Sequence, residues 1–448
     1  MPDPINWEAA TNETVNNLIR LIQVESVNPP GNEEPAVLLV KEILESAGFP
    51  GDSITIVESA PKRANLVARL RGDGSQRPLL LTGHVDVVPV EREHWTRDPF
   101  SGEVHDGCIW GRGALDMKGF LAMYLQTFLL AYRRQLPLKR DLILAAIADE
   151  EAGFEHGSKF LVDEHRDLID AEYALNEGGA LTIHAAGNRL YPIQVAEKGA
   201  CRLRMTASGE PGHGSIPDPD NAVLQLSTAL HRLGHAGHLP IHITPTLRQM
   251  LESLSSQLGF PLGILLNLMK YPAIAGLIVR LMKGDVGRIF IPILSNSVSP
   301  TILKAGQKAN VIPSIAQADL DCRLLPGQTP GDAIREIMTI TGDGVDLDIL
   351  FTSTGAEFST ETLLYQVLDK ATRAMDPQGI TFPLMMPGAT DAAEYKRAGI
   401  TVYGFTPGVL PEDFPLLSLA HGHDERLPIS FIQTGLPALW QVVSEFCA

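Results

Sequence analysis

Five short stretches of the chain place imidazoles or acids at the ends of apolar runs or in polar turns. They are GHVDVVP with His84 and Asp86, GRGALDMKG with Asp116, ADEEAG with Asp149, Glu150 and Glu151, YALNEGG with Glu177, and LAHGHDERLPIS with His421 and His423. Imidazole and carboxylate without thiolate are the ligand chemistry of zinc, cobalt or manganese, and several acids sharing one place suit two divalent ions bridged by one carboxylate. Hydrolysis needs in addition a base that is not itself a ligand, to take the proton from water. Neighbouring side chains cannot easily face the same ion, so Glu150 beside Glu151 offers that division of labour.

Each stretch also has an ordinary reading. His84 and Asp86 are two apart, so in a strand they share a face, and a carboxylate on the second ring nitrogen would fix the tautomer and raise ligand basicity; the same pair also occurs as a plain surface pair. Position favours the ligand, because the strand ends of α/β sheets are where small molecules bind. Asp116 precedes a helix and could simply cap it. Three successive acids leaving a buried strand repel one another unless a cation compensates or the loop is solvated. The glycines after Glu177 could let backbone approach a site closely, whereas a lone glutamate after a strand, or histidines in a turn, usually face water. It is the set of five that argues for metal.

The elements that must position these residues follow from periodicity. Residues 13–47 read as two helices broken at NPPGN, followed by the strands SITIVES, NLVARL and PLLLTGHVDVV, the helix FLAMYLQTFLLAYRRQ and the strand DLILAAIADEE. This alternation predicts an α/β sheet of buried, mostly parallel strands. After about residue 197 the order becomes strand ACRLRMTASG, helix NAVLQLSTALHRL, strands SVSPTILKAG and SIAQADLDCRLLPG, helix DAIREIMTI and strand VDLDILF, the split βαβ order of a ferredoxin-like module. From about 356 the α/β pattern resumes with ETLLYQVLDKATRAM, TVYGFTP and ISFIQTGLPALWQVVSEF. The expected division is 1–196 and 356–448 for an interrupted α/β domain, with 197–355 inserted.

A chain of 448 residues is long enough for such a pair of domains. Its formal charge of −17 opposes phosphate backbones and anionic membranes and favours metal ions or small neutral substrates, so nucleic acid is not expected as a partner. Cys108, Cys201, Cys322 and Cys447 are scattered and read as free thiols, and the N-terminus lacks the pattern of a secretory signal, which together predict a cytoplasmic protein. The most apolar segment, 258–282, is interrupted by Lys270 and Arg280 and divided by Pro261 and Pro272, so it is expected to form two short buried helices rather than a membrane span.

Taken in order, GHVDVVP, GRGALDMKG, DEE, NEGG and HGHDER resemble zinc metallopeptidase family 20, which includes aminoacylase, acetylornithine deacetylase, succinyl-diaminopimelate desuccinylase, carboxypeptidase S and glutamate carboxypeptidase. The resemblance covers nearly the whole chain. It implies a mixed-sheet α/β catalytic domain with an inserted ferredoxin-like α+β lid or dimerisation domain, a possible homodimer, and two divalent ions, zinc first and cobalt or manganese next. His84 and Glu177 would hold one ion and Glu151 and His421 the other, with Asp116 bridging, Glu150 as general acid and base, Asp86 behind His84, and a cis peptide at Asp116–Met117. His213 in PGHGSIP would stabilise the oxyanion. Asn310 in KANVIP, Arg323 in DCRLLPG, and Gly388, Thr390 and Asp391 in PGATDAAEY would lie near substrate, though an ion pair is an equal reading for Arg323. HGHDER departs from the usual single histidine; His421 is chosen over His423 from its register with Glu425 and Arg426. The implied reaction is hydrolysis of an N-acyl amino acid by metal-activated water. A carboxypeptidase or dipeptidase on the same scaffold is the alternative, and a non-catalytic metal-binding homologue the reading of another class. The segment 258–282 is most like the carboxypeptidase S-type and N-acyl-amino-acid hydrolase branch, where it would form lid core or line a channel for an acyl group.

Overall fold

A computed structural model describes residues 4–185, 187–281 and 291–448. The chain forms two compact units, Met1–Val195 with Phe358–Pro383 and Thr390–Ala448, and Ala196–Glu357 with Leu384–Ala389.

In the first unit the strands run side by side in the order Ile54–Ala60, Arg63–Leu70, Leu142–Ile147, Leu79–His84, Tyr173–Asn176, Thr401–Gly404 and Asn188–Glu197. The centre is parallel: Leu79–His84 lies between Leu142–Ile147 and Tyr173–Asn176, and Thr401–Gly404 continues the set. The flanks are antiparallel, which corrects the expectation of mostly parallel strands and gives a mixed sheet. Connection length explains the difference. Only Pro61 and Lys62, the latter at φ 68°, join the first two strands, and a turn that short closes only an antiparallel pair. Leu79–His84 instead reaches its parallel neighbour through the helix Lys118–Arg133.

The central strands are buried on both faces, and their alternate residues serve two cores. Leu79, Leu81, Leu142 and Leu144 pack with Leu21, Leu121, Phe128 and Val442 of the long helices, while Leu80, Ile143 and Ile147 pack with Leu161, Tyr395 and Ala398 on the other side. Two of the longer strands were not anticipated. Asn188–Glu197 and Ile380–Met386 pair with each other, and each carries an internal proline, Pro192 or Pro383, that masks its strand pattern.

The second unit has a four-stranded antiparallel sheet in the order Ser297–Ala305, Ile315–Leu324, Gly199–Ser208 and Asp346–Thr352. Helices Ala222–Ala236 and Pro330–Thr341 cover one face through Leu226, Leu233 and Ile337 against Leu203, Met205 and Leu320. Chain order here is strand, helix, strand, strand, helix, strand. The free thiols Cys201 and Cys322 lie directly opposite each other on neighbouring strands, both buried.

Between the first of these helices and the second strand come the helices Pro245–Gln257, Leu262–Leu268 and Pro272–Leu281. The apolar segment does form two short helices, but the expectation that they are buried is corrected. Leu266, Met269, Ala275 and Val279 turn inward, whereas Phe260, Ile264, Tyr271 and Leu277 are exposed. Each helix thus buries one apolar stripe and leaves other apolar side chains outward. Met282, the last residue of the segment, lies outside the described residues.

Candidate active site

Strand Leu79–His84 ends on His84, whose ring is fully buried. Its Nδ1 donates to the backbone carbonyl of Asp86 at 2.9 Å, with the Asp86 carboxylate at 3.5 Å. The lone pair is thereby directed through Nε2, which faces Asp116 Oδ1 at 3.1 Å and Glu177 Oε2 at 3.7 Å. The other Asp116 oxygen, Oδ2, lies 3.0 Å from His421 Nε2, which is also 3.1 Å from Glu151 Oε2. Two ligand sets result, His84–Asp116–Glu177 and Asp116–Glu151–His421, and Asp116 divides its oxygens between them. Glu150 belongs to neither set, its Oε2 standing 4.0 Å from His84 Nε2.

The local chain explains the arrangement. Asp116 does not cap the following helix, since Met117 holds that position without a side-chain bond, and the Asp116–Met117 peptide is cis. The three successive acids are separated by backbone direction. Asp149, at φ 65°, turns toward Arg63 at 2.6 Å and Asn28 at 2.9 Å, leaving Glu150 and Glu151 at the cluster. Asp86 holds that turn, because its carboxylate accepts from Glu150 N, Glu151 N and Asn28 Nδ2. Gly179 serves packing, since a Cβ there would lie 2.2 Å from the Gly404 carbonyl.

His421 sits at φ 58° in the loop ahead of Arg426–Pro428, and its neighbour Glu425 is fully buried. Glu425 accepts from Leu115 N, Asp116 N and Arg112 Nη1, and Arg112 Nη2 donates to the His421 carbonyl. His423 points elsewhere, to Glu91 at 3.1 Å, with its ring 5.2 Å from that of His94.

The cluster holds more acid than its own cations balance. Burial, then the charge of Asp116, raises Glu177 to about 7; burial also raises Asp391 to about 8, and burial followed by the charge of Glu177 pushes Glu150 well above the carboxylate range. His421 is lifted to about 10 by its bonds to Asp116 and Glu151. Burial opposes a charge on His84, yet Glu177 and Asp116 carry it well above its ordinary value. Both imidazoles thus hold protons where cations are demanded, and buried oxygens of Glu151 and Glu177 have no hydrogen-bond partner. Divalent ions satisfy both deficits, so these donors fit a dinuclear centre.

Thr390 and Asp391 are buried in the first unit, where Asp391 acts electrostatically on His84 and Glu150, and Asn176 Nδ2 lies 3.4 Å from Thr390 Oγ1. His213, Asn310, Arg323 and Gly388 belong to the second unit. There the pairing of Gly212–His213 with Val311–Ile312 brings His213 beside Asn310, whose carbonyl accepts from Gly214 N. Ser215 N donates to His213 Nδ1, so the imidazole proton resides on Nε2. Arg323 pairs with Asp321 on its own strand at 2.9 Å. Sequence reasoning missed Asn28, Arg63 and Arg112 as supports; buried polar residues in NPPGN and in a hydrophobic strand were the available signal.

The sequence model of peptidase family M20/M25/M40 matches residues 80–445. The chain is 29% identical over 397 residues to the N-fatty-acyl-amino acid synthase/hydrolase PM20D1 of Mus musculus, covering 86% of this chain and 77% of that one. It is 26% identical over 443 residues to aminoacylase-1 of Sus scrofa, covering 94% and 92%. The fold matches that of the M20 family metallo-carboxypeptidase Sso-CP2 from Sulfolobus solfataricus with a TM-score of 0.70 at 17% identity, over 96% of this chain and 98% of the other.

Proposed function

The chain belongs to peptidase family M20/M25/M40, and on that premise we propose that it is a dinuclear metal-dependent amidohydrolase cleaving the amide bond of N-acyl amino acids. The observation that carries the reading is the pair of ligand sets sharing Asp116, with Glu150 close by but outside both. His84 and Glu177 would hold one ion and Glu151 and His421 the other, each with Asp116, and zinc is the metal this imidazole and carboxylate set suits first. When bound, the ions polarise the scissile carbonyl and acidify water.

The remaining work falls to side chains. Glu150, close to the cluster but outside both ligand sets, takes the proton from water and returns it to the leaving amine. Asp86 keeps Glu150 and Glu151 on their separate headings through the two backbone N–H groups it accepts, and its carbonyl fixes the His84 tautomer. His213 presents an Nε2–H and is assigned to the oxyanion. Asn310, Arg323, Gly388, Thr390 and Asp391 are assigned to substrate positioning. The acyl amino acid class is supported by likeness to an N-fatty-acyl-amino acid synthase/hydrolase and to aminoacylase-1. A homodimer through the second unit is supported by the exposed edge strand Ser297–Ala305 with Ile302 and Leu303 outward, and a cytoplasmic location by four free cysteines.

The test is a panel of N-acyl amino acids, from acetyl to long-chain acyl groups, beside dipeptides, assayed after chelation and reloading with zinc, cobalt or manganese. Metal-dependent release of the free amino acid from acyl substrates is expected. Preference for dipeptides moves the assignment to a carboxypeptidase or dipeptidase, and inactivity at full metal loading rejects catalysis.

A further inference from the structure

Outside the catalytic cluster, four of the chain's 13 histidines fall within HRLGHAGHLPIH, as His231, His235, His238 and His242. Two of them are engaged elsewhere. His242 Nε2 faces Glu336 Oε1 at 2.6 Å, and Gly237, at φ 76°, ends the helix before His238, whose Nδ1 donates to the Leu239 carbonyl. His231 and His235 remain, four residues apart in the last two turns of Ala222–Ala236, the spacing that sets two side chains one above the other on a single face. That helix turns Leu226, Ala229 and Leu233 inward, whereas both imidazoles are exposed.

The two ring centres lie 4.0 Å apart, with 38° between the ring planes. His235 Nδ1 donates to the His231 carbonyl at 3.0 Å; a carbonyl can only accept, so the neutral ring's proton is on Nδ1 and its lone pair leaves through Nε2. His84 receives the same orientation from the Asp86 carbonyl. Arg232, the cation between them in sequence, is drawn off to the Thr341 carbonyl at 2.8 Å. The helix itself carries no acid that could pair with either ring. Metal–nitrogen bonds of about 2.0–2.1 Å at angles near 90–110° set ring centres roughly 4.5–5 Å apart, so the exposed pair need open by only about an ångström.

We propose that His231 and His235 form a further metal site, a two-imidazole chelate on the second unit that takes a late divalent transition ion, with water completing its coordination. Imidazole suits copper, nickel and zinc, and the usual order of affinities places copper and nickel ahead of zinc or close to it. Two donors held on one helix face act as a chelate, because the second meets the ion at high local concentration once the first is engaged. The bound ion ties the last turn of the helix to the turn before it. The inference stands apart from the hydrolytic reading, since neither histidine belongs to the ligand sets that share Asp116.

The test is equilibrium dialysis of the untagged, zinc-loaded full chain against nickel or copper(II), with metal counted by elemental analysis, beside the double variant H231A/H235A. At equal free metal the unmodified chain is expected to hold about one ion more than the double variant. Each single variant, His231→Ala or His235→Ala, is expected to weaken that ion by at least about tenfold, because one donor alone is left. Hydrolytic activity before nickel or copper is added should be unchanged in all three, and melting temperature should not fall, alanine being a better helix former than histidine. The difference in copper(II) spin-resonance spectrum between the unmodified chain and the double variant should show two nitrogen ligands. The proposal is overturned if the double variant binds as many ions as the unmodified chain, if the single variants bind as tightly, or if the added copper carries nitrogen from one imidazole alone. An extra ion that persists in a chain inactive toward every amide would support the chelate and reject only the hydrolytic reading.

Discussion

Arg112 and Glu425, 313 positions apart, form a buried ion pair at 2.5 Å that ties the loop of Asp116 to the loop of His421. The Glu425 carboxylate accepts the backbone N–H of Asp116, and Arg112 donates to the carbonyl of His421, so one pair sets the spacing of two residues in the same ligand set. Removing one partner of a buried pair strands the other charge at a cost of about 3–5 kcal/mol. Glu425→Ala should therefore lower the melting temperature. Glu425→Gln, which keeps an acceptor for Asp116 N, should fold better yet weaken metal binding by about 10- to 100-fold, measured by competition with a chromogenic chelator. Unchanged affinity in both variants would remove Arg112–Glu425 from the support of the site.

Glu150 and Glu151 are neighbours with different expected phenotypes. Glu150→Gln should keep about two metal ions per chain by elemental analysis while turnover falls by roughly 10²- to 10⁴-fold. Glu151→Ala should lose about one ion. If Glu150→Gln loses metal, Glu150 is a ligand and the base lies elsewhere.

Asp116 is the residue both ligand sets share. Asp116→Ala should weaken both ions, whereas Glu177→Ala should weaken only the one at His84. Stepwise titration with a metal indicator separates the cases, and loss of a single ion in Asp116→Ala would argue against bridging.

His213→Ala should leave metal content and melting temperature unchanged. Its effect belongs in kcat, with a fall of about 10²- to 10³-fold and little change in KM, as for removal of an oxyanion donor. A change confined to KM would make His213 a substrate-binding residue.

Proton linkage gives a prediction of definite sign for the metal-free protein. His421, lifted to about 10 by Asp116 and Glu151, stabilises the fold fully below its unfolded value near 6.5, and that stability is lost as pH rises through about 10. Glu177, raised to about 7 chiefly by burial, adds a cost that builds as pH climbs from about 4.5 to 7. Both trends run the same way, so the melting temperature after chelation should fall from pH 5 to pH 10. Metal must displace the His421 proton, so its affinity should be lower at pH 6 than at pH 8, with protons released on binding. A metal-free melting temperature that rises across this range would show that the acids are compensated in another way.

What the sequence by itself determined were the groups that local pattern can specify: the apolar strands that end on His84, on the acidic run at Asp149 and on Glu177, the helix after Asp116, and the family resemblance that orders them. These are legible because a strand or helix writes its period into neighbouring residues. Tertiary structure decided which of three successive acids turns away, through Arg63 and Asn28 on distant segments; which of His421 and His423 meets Asp116; and that the carbonyl of Asp86, more than its carboxylate, holds His84. It also decided that the flanking strands are antiparallel, that strands carrying Pro192 and Pro383 join the sheet, and that the apolar helices after Leu258 keep Ile264, Leu265, Leu268 and Leu277 exposed. Each depends on partners tens to hundreds of positions away, and a one-dimensional period carries no information about them.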